Sequence, residues 1–269
     1  MKLKSLAWLL TGVGSGMLVY GALYEANRLV LNRKTLRLKD WPKKLNGYRI
    51  ALLADFHLRD RYSLELALKA VQQAVDEKPD MIVLAGDLIG YWKDETASLL
   101  EEALSPLRGS GLPVLAVPGN HEYWGGRPEY LEPVFDQYNI VLLRNSSKLI
   151  GGIRWVGVDS LNAGEADPCQ ALDGVGPDPL IALWHEPDAV DLLPRGCDLM
   201  LSGHSHGGQF VLPGGLVPMT SRNGRRYRSG FYPDAPTPLF VTRGVGTTGP
   251  PSRFLCPPEV VVLTLQCTN

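Results

Sequence analysis

Short runs of consecutive apolar residues alternate along the chain with longer stretches in which apolar positions recur every three or four residues. Residues 48–54 (YRIALLA), 81–85 (MIVLA) and 114–117 (VLAV) are of the first kind and predict buried strands. Residues 64–75 are of the second kind, with Leu64, Leu68, Val71 and Val75 at helical spacing, and Lys78-Pro79-Asp80 ends that helix. The pattern predicts further helices over 97–107, stopped by Pro106 and Gly109, and over 129–138. Residues 140–143 read as extended, and 148–150 and 153–158 flank Gly151-Gly152, a hairpin signal. Strands follow at 180–184 and 199–201, with a short helix near 188–193 between them, and closing strands at 239–242 and 260–265. Alternating strands and helices predict an α/β domain with a central pair of sheets flanked by helices. Residues 162–179 and 221–238, rich in Gly, Pro, Asp and Arg, are expected as long loops near the site.

The N-terminus breaks this pattern. Residues 5–24 (SLAWLLTGVGSGMLVYGALY) carry no charge, and as a helix they would span roughly 30 Å, one hydrocarbon core. Trp8, Tyr20 and Tyr24 stand near its ends, where amphipathic rings favour an interface. The run is long for a signal peptide, and Tyr24, Glu25 and Asn27 occupy the place a small-residue cleavage site needs, so an uncleaved transmembrane anchor is expected. Lys2 and Lys4 precede the run, while Arg28, Arg33, Lys34, Arg37, Lys39, Lys43, Lys44 and Arg49 follow it. That larger C-terminal basic flank predicts a single pass with the main domain in the cytoplasm, and a collar suited to anionic headgroups. The expected division is an anchor at 1–27, a linker and first strand at 28–47, and the main domain at 48–269.

Composition adds little to this. Apolar residues make up 45% and charged residues 20%, ordinary for a globular protein, and the net charge of -1 gives no electrostatic footprint for nucleic acid. Cys169, Cys197, Cys256 and Cys267 are widely spaced and lack a C-x-x-C pair, so they are expected as free thiols rather than a zinc site or disulfide framework.

The chemistry lies in where the five histidines fall. Asp55-Phe56-His57 follows the first predicted strand of the main domain, Gly86-Asp87 the next and Gly119-Asn120-His121-Glu122 the third. His185 and Gly203-His204-Ser205-His206 follow two more. Ligands of open α/β sheets bind beyond the carboxyl ends of strands, so one crevice can receive all of these side chains. Imidazole with carboxylate suits Mn, Fe, Zn, Ni or Co rather than calcium. Asp55, His57, Asp87, Asn120, His185, His204 and His206 are more ligands than one ion needs, and Asp87 has two oxygens with which to bridge two ions about 3.5–4 Å apart.

These five motifs resemble those of the calcineurin-like metallophosphoesterase superfamily, over roughly residues 48–265. Gly203-His204-Ser205-His206-Gly207-Gly208-Gln209, Gly244-Val245-Gly246-Thr247 and Pro257-Pro258-Glu259 are similar to its membrane-linked bacterial branch. The resemblance implies a four-layer αββα sandwich, here preceded by one transmembrane helix, and a location at the bacterial inner membrane. It implies two divalent ions, manganese first among the candidates, one held by Asp55, His57 and His206, the other by Asn120, His185 and His204, with Asp87 shared. Water held between the ions attacks phosphorus in that family. His121 stands beside a ligand without being one, and is the candidate to protonate the leaving oxygen, with Glu122 a candidate to orient it. Phosphoprotein phosphatases carry a second Asp three residues after the shared one. Gly90 stands there in this chain, which argues against a protein substrate.

Arg59, Tyr123 and Trp124, with Arg61, Trp92 and Arg127, follow motif strands and are expected to line the substrate cleft, and Arg222, Arg225, Arg226 and Arg228 form a basic loop. The branch includes general phosphodiesterases and a UDP-2,3-diacylglucosamine pyrophosphatase that yields lipid X and UMP in lipid A synthesis. The expected function is therefore hydrolysis of a phosphodiester or pyrophosphate, on a substrate carrying phosphate and in one version a lipid, beside a bilayer and without nucleic acid. A membrane phosphodiesterase of another substrate, or an inactive metal-binding scaffold, is the alternative.

Overall fold

The computed structural model describes residues 2–194 and 196–268, with backbone alone for residues 2–7, 9 and 10. Two six-stranded sheets form the centre. The first has the order β1 (Val30–Leu38), β12 (Glu259–Cys267), β2 (Arg49–Leu53), β3 (Met81–Leu84), β4 (Val114–Ala116), β5 (Ile140–Leu142). The second runs β10 (Gly230–Tyr232), β11 (Leu239–Val241), β9 (Leu199–Ser202), β8 (Leu180–Leu183), β7 (Ile153–Gly157), β6 (Ser146–Ile150). Strands β2 to β5 are mutually parallel, as are β7, β8, β9 and β11. The hairpin expected at Gly151-Gly152 joins β6 to β7, with Ile150 opposite Ile153.

Every residue of β3, β4, β8 and β9 is buried, which is why these strands read as continuous apolar runs rather than alternating ones. Leu52, Val83 and Leu115 of the first sheet meet Trp155, Ile181, Leu183 and Leu201 of the second in the core between them. The first sheet's other face packs on α2 (Arg61–Asp76), α3 (Thr96–Leu104) and α4 (Glu132–Gln137). α2 starts where Asp60 accepts the backbone N–H of Ser63 at 2.8 Å, and it lays Leu64, Ala67, Val71 and Ala74 on the sheet. Burying one such leucine fully contributes about 1.5–3 kcal/mol. The second sheet's outer face is covered by α5 (Pro168–Ala171), a 3-10 turn at Pro187–Leu192 and loops. The αββα sandwich is thus present as two sheets with a full helical layer on one side and only short turns on the other. All four cysteines are free.

Residues Lys2–Leu23 form the helix α1, but among the described residues no helix is long and apolar enough to cross a membrane. This overturns the expected transmembrane helix and single-pass inner-membrane placement. The physical reasons lie in the run itself. Thr11, Gly12, Gly14, Ser15, Gly16 and Gly21 dilute its apolar character. Its last turns, moreover, are docked on the protein. Ser252 donates its hydroxyl to the carbonyl of Leu18 at 3.1 Å, the N–H of Arg253 donates to the carbonyl of Gly21 at 3.3 Å, and Tyr20 lies edge-on to Phe254. A Cβ on Gly21 would sit 2.2 Å from the Ser252 hydroxyl and 2.4 Å from the Arg253 carbonyl, so only glycine allows this approach. The side chains of Lys2 and Lys4, the expected N-terminal basic flank, lie outside the described residues.

Candidate metal centre

The carboxyl ends of β2, β3 and β4 in one sheet and of β8 and β9 in the other converge, and each carries its motif to one place. Asp55 and His57 follow β2, Asp87 follows β3, Asn120 and His121 follow β4, His185 follows β8, and His204 and His206 follow β9. All eight are buried, none more than 9% exposed. The sheets are tied together here, because the N–H of His204 donates to both carboxylate oxygens of Asp55 at 3.0 Å. Asp55, His57, Asp87, His204 and His206 all hold a left-handed backbone, with φ of 57°, 48°, 52°, 68° and 50°. Non-glycine residues avoid that region, and clusters of such residues mark sites where the surrounding fold imposes the geometry.

Two sets of ligand atoms lie within 4.8 Å of one another, Asp55–His57–His206 and Asp87–His185–His204. Asp87 Oδ2 stands between them, 3.6 Å from His57 Nε2 and 3.1 Å from His185 Nε2. Its other oxygen accepts the N–H of His121 at 2.8 Å. A Cβ on Gly119 would lie 2.2 Å from that oxygen, which explains the glycine. His121 joins a third set with His57 and Asp87.

The donor set fits a pair of cations. Asn120 Oδ1 is buried with no hydrogen-bond partner, an acceptor left open beside the two sets. The imidazoles are oriented by carbonyls, which can only accept. His185 therefore donates Nδ1–H to Ala85 at 2.7 Å and turns Nε2 toward Asp87. His204 donates Nε2–H to Arg222 at 2.6 Å and turns Nδ1 toward His185. Burial lowers the pKa of His57 and His206 well below the ordinary value, and lowers that of His204. Such rings are neutral, as ligation requires. Burial pushes Asp55 up to about 7. His185 and Asp87 resist burial as a pair: mutual attraction raises the imidazole well above its ordinary value and lowers the carboxylate well below its own.

His121 donates Nδ1–H to the carbonyl of Gly90 and lies against Trp124, ring centroids 3.6 Å apart. The expected role of Glu122 in orienting it does not hold. Glu122 is fully buried and accepts the N–H groups of Asp87, Leu88, Ile89 and Gly119 at 2.7–3.2 Å, fixing the Asp87 loop. Burial pushes its pKa up to about 7.

Two cavities open on the centre. One, of about 350 Å³, is lined by His57, Arg59, Lys93, His121, Tyr91 and Trp124. The other, of about 250 Å³, is lined by His204, His206, Gln209, Phe210, Met219 and Pro250 among others, and no Asp, Glu, Lys or Arg lines it. Of the residues expected in the cleft, Arg59 and Trp124 line the first cavity. Arg59 is held there by donating to the Thr247 carbonyl and hydroxyl at 2.8 and 2.9 Å. Tyr123 lines neither cavity and gives its hydroxyl to Asp159 at 2.5 Å. Trp92 is buried and donates to the Glu122 carbonyl, Arg61 pairs with Glu102 on the surface, and Arg127 is exposed outside both cavities. In the arginine loop, Arg222 contributes its carbonyl to His204, and Arg226 pairs with Asp191 at 2.8 Å.

Sequence reasoning missed Tyr91 and Lys93 because side-chain direction in a loop follows no period. It also missed Arg253, which is wholly buried and donates to the carbonyls of Gly246, Arg243, Cys256 and His206. An arginine within the apolar-flanked segment 250–258 was the available signal.

Residues 48–208 match the family described as Calcineurin-like phosphoesterase. The chain is 32% identical to the uncharacterized metallophosphoesterase YkuE of Bacillus subtilis, over 93% of this chain and 90% of that one. It is 31% identical to the phosphodiesterase YaeI of Escherichia coli, over 81% of this chain and 82% of that one. A solved dimetal phosphatase from Danio rerio superposes with a TM-score of 0.49 at 17% identity, over 78% of this chain and 91% of that chain.

Proposed function

The chain belongs to the calcineurin-like phosphoesterase family, and from that premise we propose that it hydrolyses a phosphodiester or a pyrophosphate with two divalent cations, manganese first among them. The observation that carries this reading is the buried double set of ligand atoms with Asp87 Oδ2 between its halves and Asn120 Oδ1 left open beside it. Asp55, His57 and His206 would hold one cation, Asn120, His185 and His204 the other, and Asp87 both. Two such cations, when bound, offset the charge of the phosphoryl oxygens and acidify a water for attack on phosphorus.

The chain's own residues do the rest. Water adds to phosphorus and the bond to the leaving oxygen breaks; that oxygen takes the Nε2 proton of the His121 imidazolium, whose Nδ1–H stays on Gly90, and the proton shed by the attacking water restores the imidazolium. Arg59 and Lys93 attract an anionic substrate to the same side. The pairing of a cationic, aromatic cavity with an uncharged one supports an amphiphilic substrate, and we place UDP-2,3-diacylglucosamine first.

The test is metal content together with hydrolysis of bis(nitrophenyl) phosphate. We expect close to two transition-metal ions per chain, and joint loss of metal and activity in Asp87→Asn. Full activity with one bound metal would sink the binuclear reading. Incubation with nucleotide-linked and lipid-linked phosphates, products identified by mass, selects the substrate. Intact UDP-2,3-diacylglucosamine would reject that substrate alone.

A further inference from the structure

We propose that the centre takes its substrate in one orientation, with the leaving group in the Trp124–Lys93 cavity and the group that stays on phosphorus, an aliphatic one, in the Phe210–Met219 cavity. The proposal rests on the phosphoesterase reading and deepens it. Thr248 and Gly249 line both cavities, so the two lie side by side with that segment as the wall between them. His57 faces one, and His204 and His206 face the other, so each opens on a different part of the ligand cluster.

The two sides differ in chemistry. His121 lines only the first. A proton donor serves the oxygen within its reach, so the bond that breaks is the one pointing into that side. Arg59 and Lys93 supply cations there, and Tyr91 and Trp124, 51% and 47% exposed, supply open ring faces. An anionic or planar leaving group, such as a nucleoside monophosphate, finds both partners.

The second side has the opposite character. No Asp, Glu, Lys or Arg lines it, and Phe210, Met219 and Pro250 give it apolar walls. Met219 is 75% exposed, an unbranched side chain free to adapt to an alkyl chain. Gln209, its buried polar neighbour, is already committed: it donates to the Thr248 carbonyl and accepts the Thr248 N–H. The remaining polar side chains of the lining are the hydroxyls of Ser205, Thr220, Ser221 and Thr248, all uncharged, with Ser221 Oγ buried and unpartnered. Water would add to the phosphorus that carries the aliphatic group, the bridging bond would break, and the other arm would leave with the electron pair and any proton it needs.

Alkyl phosphonates, which cannot be hydrolysed, test the cavity by calorimetry on the metal-loaded protein. Octylphosphonate should bind at least about tenfold tighter than methylphosphonate, since each buried methylene contributes severalfold. Met219→Glu, at an exposed position where folding is undisturbed, should reduce that ratio toward one. Hydrolysis of an octyl-linked uridine diphosphate in ¹⁸O-water tests the orientation. The label should enter octyl phosphate. Equal binding of the two phosphonates, or label in UMP, would overturn the proposal while the phosphoesterase reading stands. Metal-loaded protein that hydrolyses no phosphodiester or pyrophosphate would overturn both.

Discussion

His121 is oriented by Gly90: the ring's Nδ1–H donates to the Gly90 carbonyl oxygen at 2.7 Å. A peptide carbonyl carries a dipole and no charge, so it holds Nδ1–H and turns Nε2 to the site without an ion pair. His121→Ala should keep both metals and lose about 10²–10⁴-fold in kcat on a substrate with a poor leaving group. Steady-state kinetics with an alkyl ester checks it. An unchanged rate would remove His121 from the mechanism. Nitrophenolate departs without protonation and would hide the effect.

Metal loading should release protons. His57, His204 and His206 are held neutral by burial and have none to give near pH 7. His185, raised by Asp87, holds a proton there, and Asp55, pushed up to about 7, holds one in about half of the molecules. Both must lose them to ligate, so roughly one to two protons should leave per chain at pH 7, and affinity should rise as pH rises. Calorimetry in buffers of different ionisation enthalpy measures the number. A binding heat independent of the buffer would contradict this account.

Tyr123→Phe should leave KM for a small diester unchanged, because the hydroxyl is spent on Asp159 rather than on the cleft. Asp159 keeps Arg144 at 2.7 Å, so the loss should be a stability effect of about 1 kcal/mol. Denaturant midpoints and kinetics together separate the outcomes. A raised KM with unchanged stability would return Tyr123 to substrate binding.

Gly21→Val should detach α1 from the domain, since the added carbons collide with Ser252 and Arg253. The cost of such overpacking is about 1–3 kcal/mol. Hydrogen exchange should rise at the backbone N–H of Arg253, which loses its acceptor in α1. Protection unchanged from the parent chain would show that the docked turn is not held through this contact.

The ligand cluster was legible in the sequence because two rules met. Buried parallel strands show as apolar runs, and their carboxyl ends share one edge, so residues just beyond them, Asp55, Asp87, Asn120, His185 and His204, were bound to converge. What lay outside those rules was not legible. The direction of a loop side chain has no period, so the sequence points to Trp92 in the cleft, where the fold puts its neighbours Tyr91 and Lys93. Glu122 has a charge that reads as catalytic, and only the fold shows four backbone donors consuming it. The run before Tyr24 has the length of a membrane span, but length does not register its glycines or its contacts with Ser252 and Arg253. Strand β10, three half-buried residues, lacks the apolar density that marks its neighbours.

The order of the first sheet sets when this protein can finish folding. β12 lies between β1 and β2, pairing Val30 with Glu259 and Leu52 with Val261. During synthesis β2, the strand that leads into Asp55 and His57, therefore waits, one edge bare, until residues 259–267 have left the ribosome. Contacts this distant in sequence close slowly, and an open strand edge is a surface on which nascent chains associate. A nascent chain stalled short of residue 259 should thus depend on chaperone cover, and the cation sites should fill only once residues 259–267 have emerged.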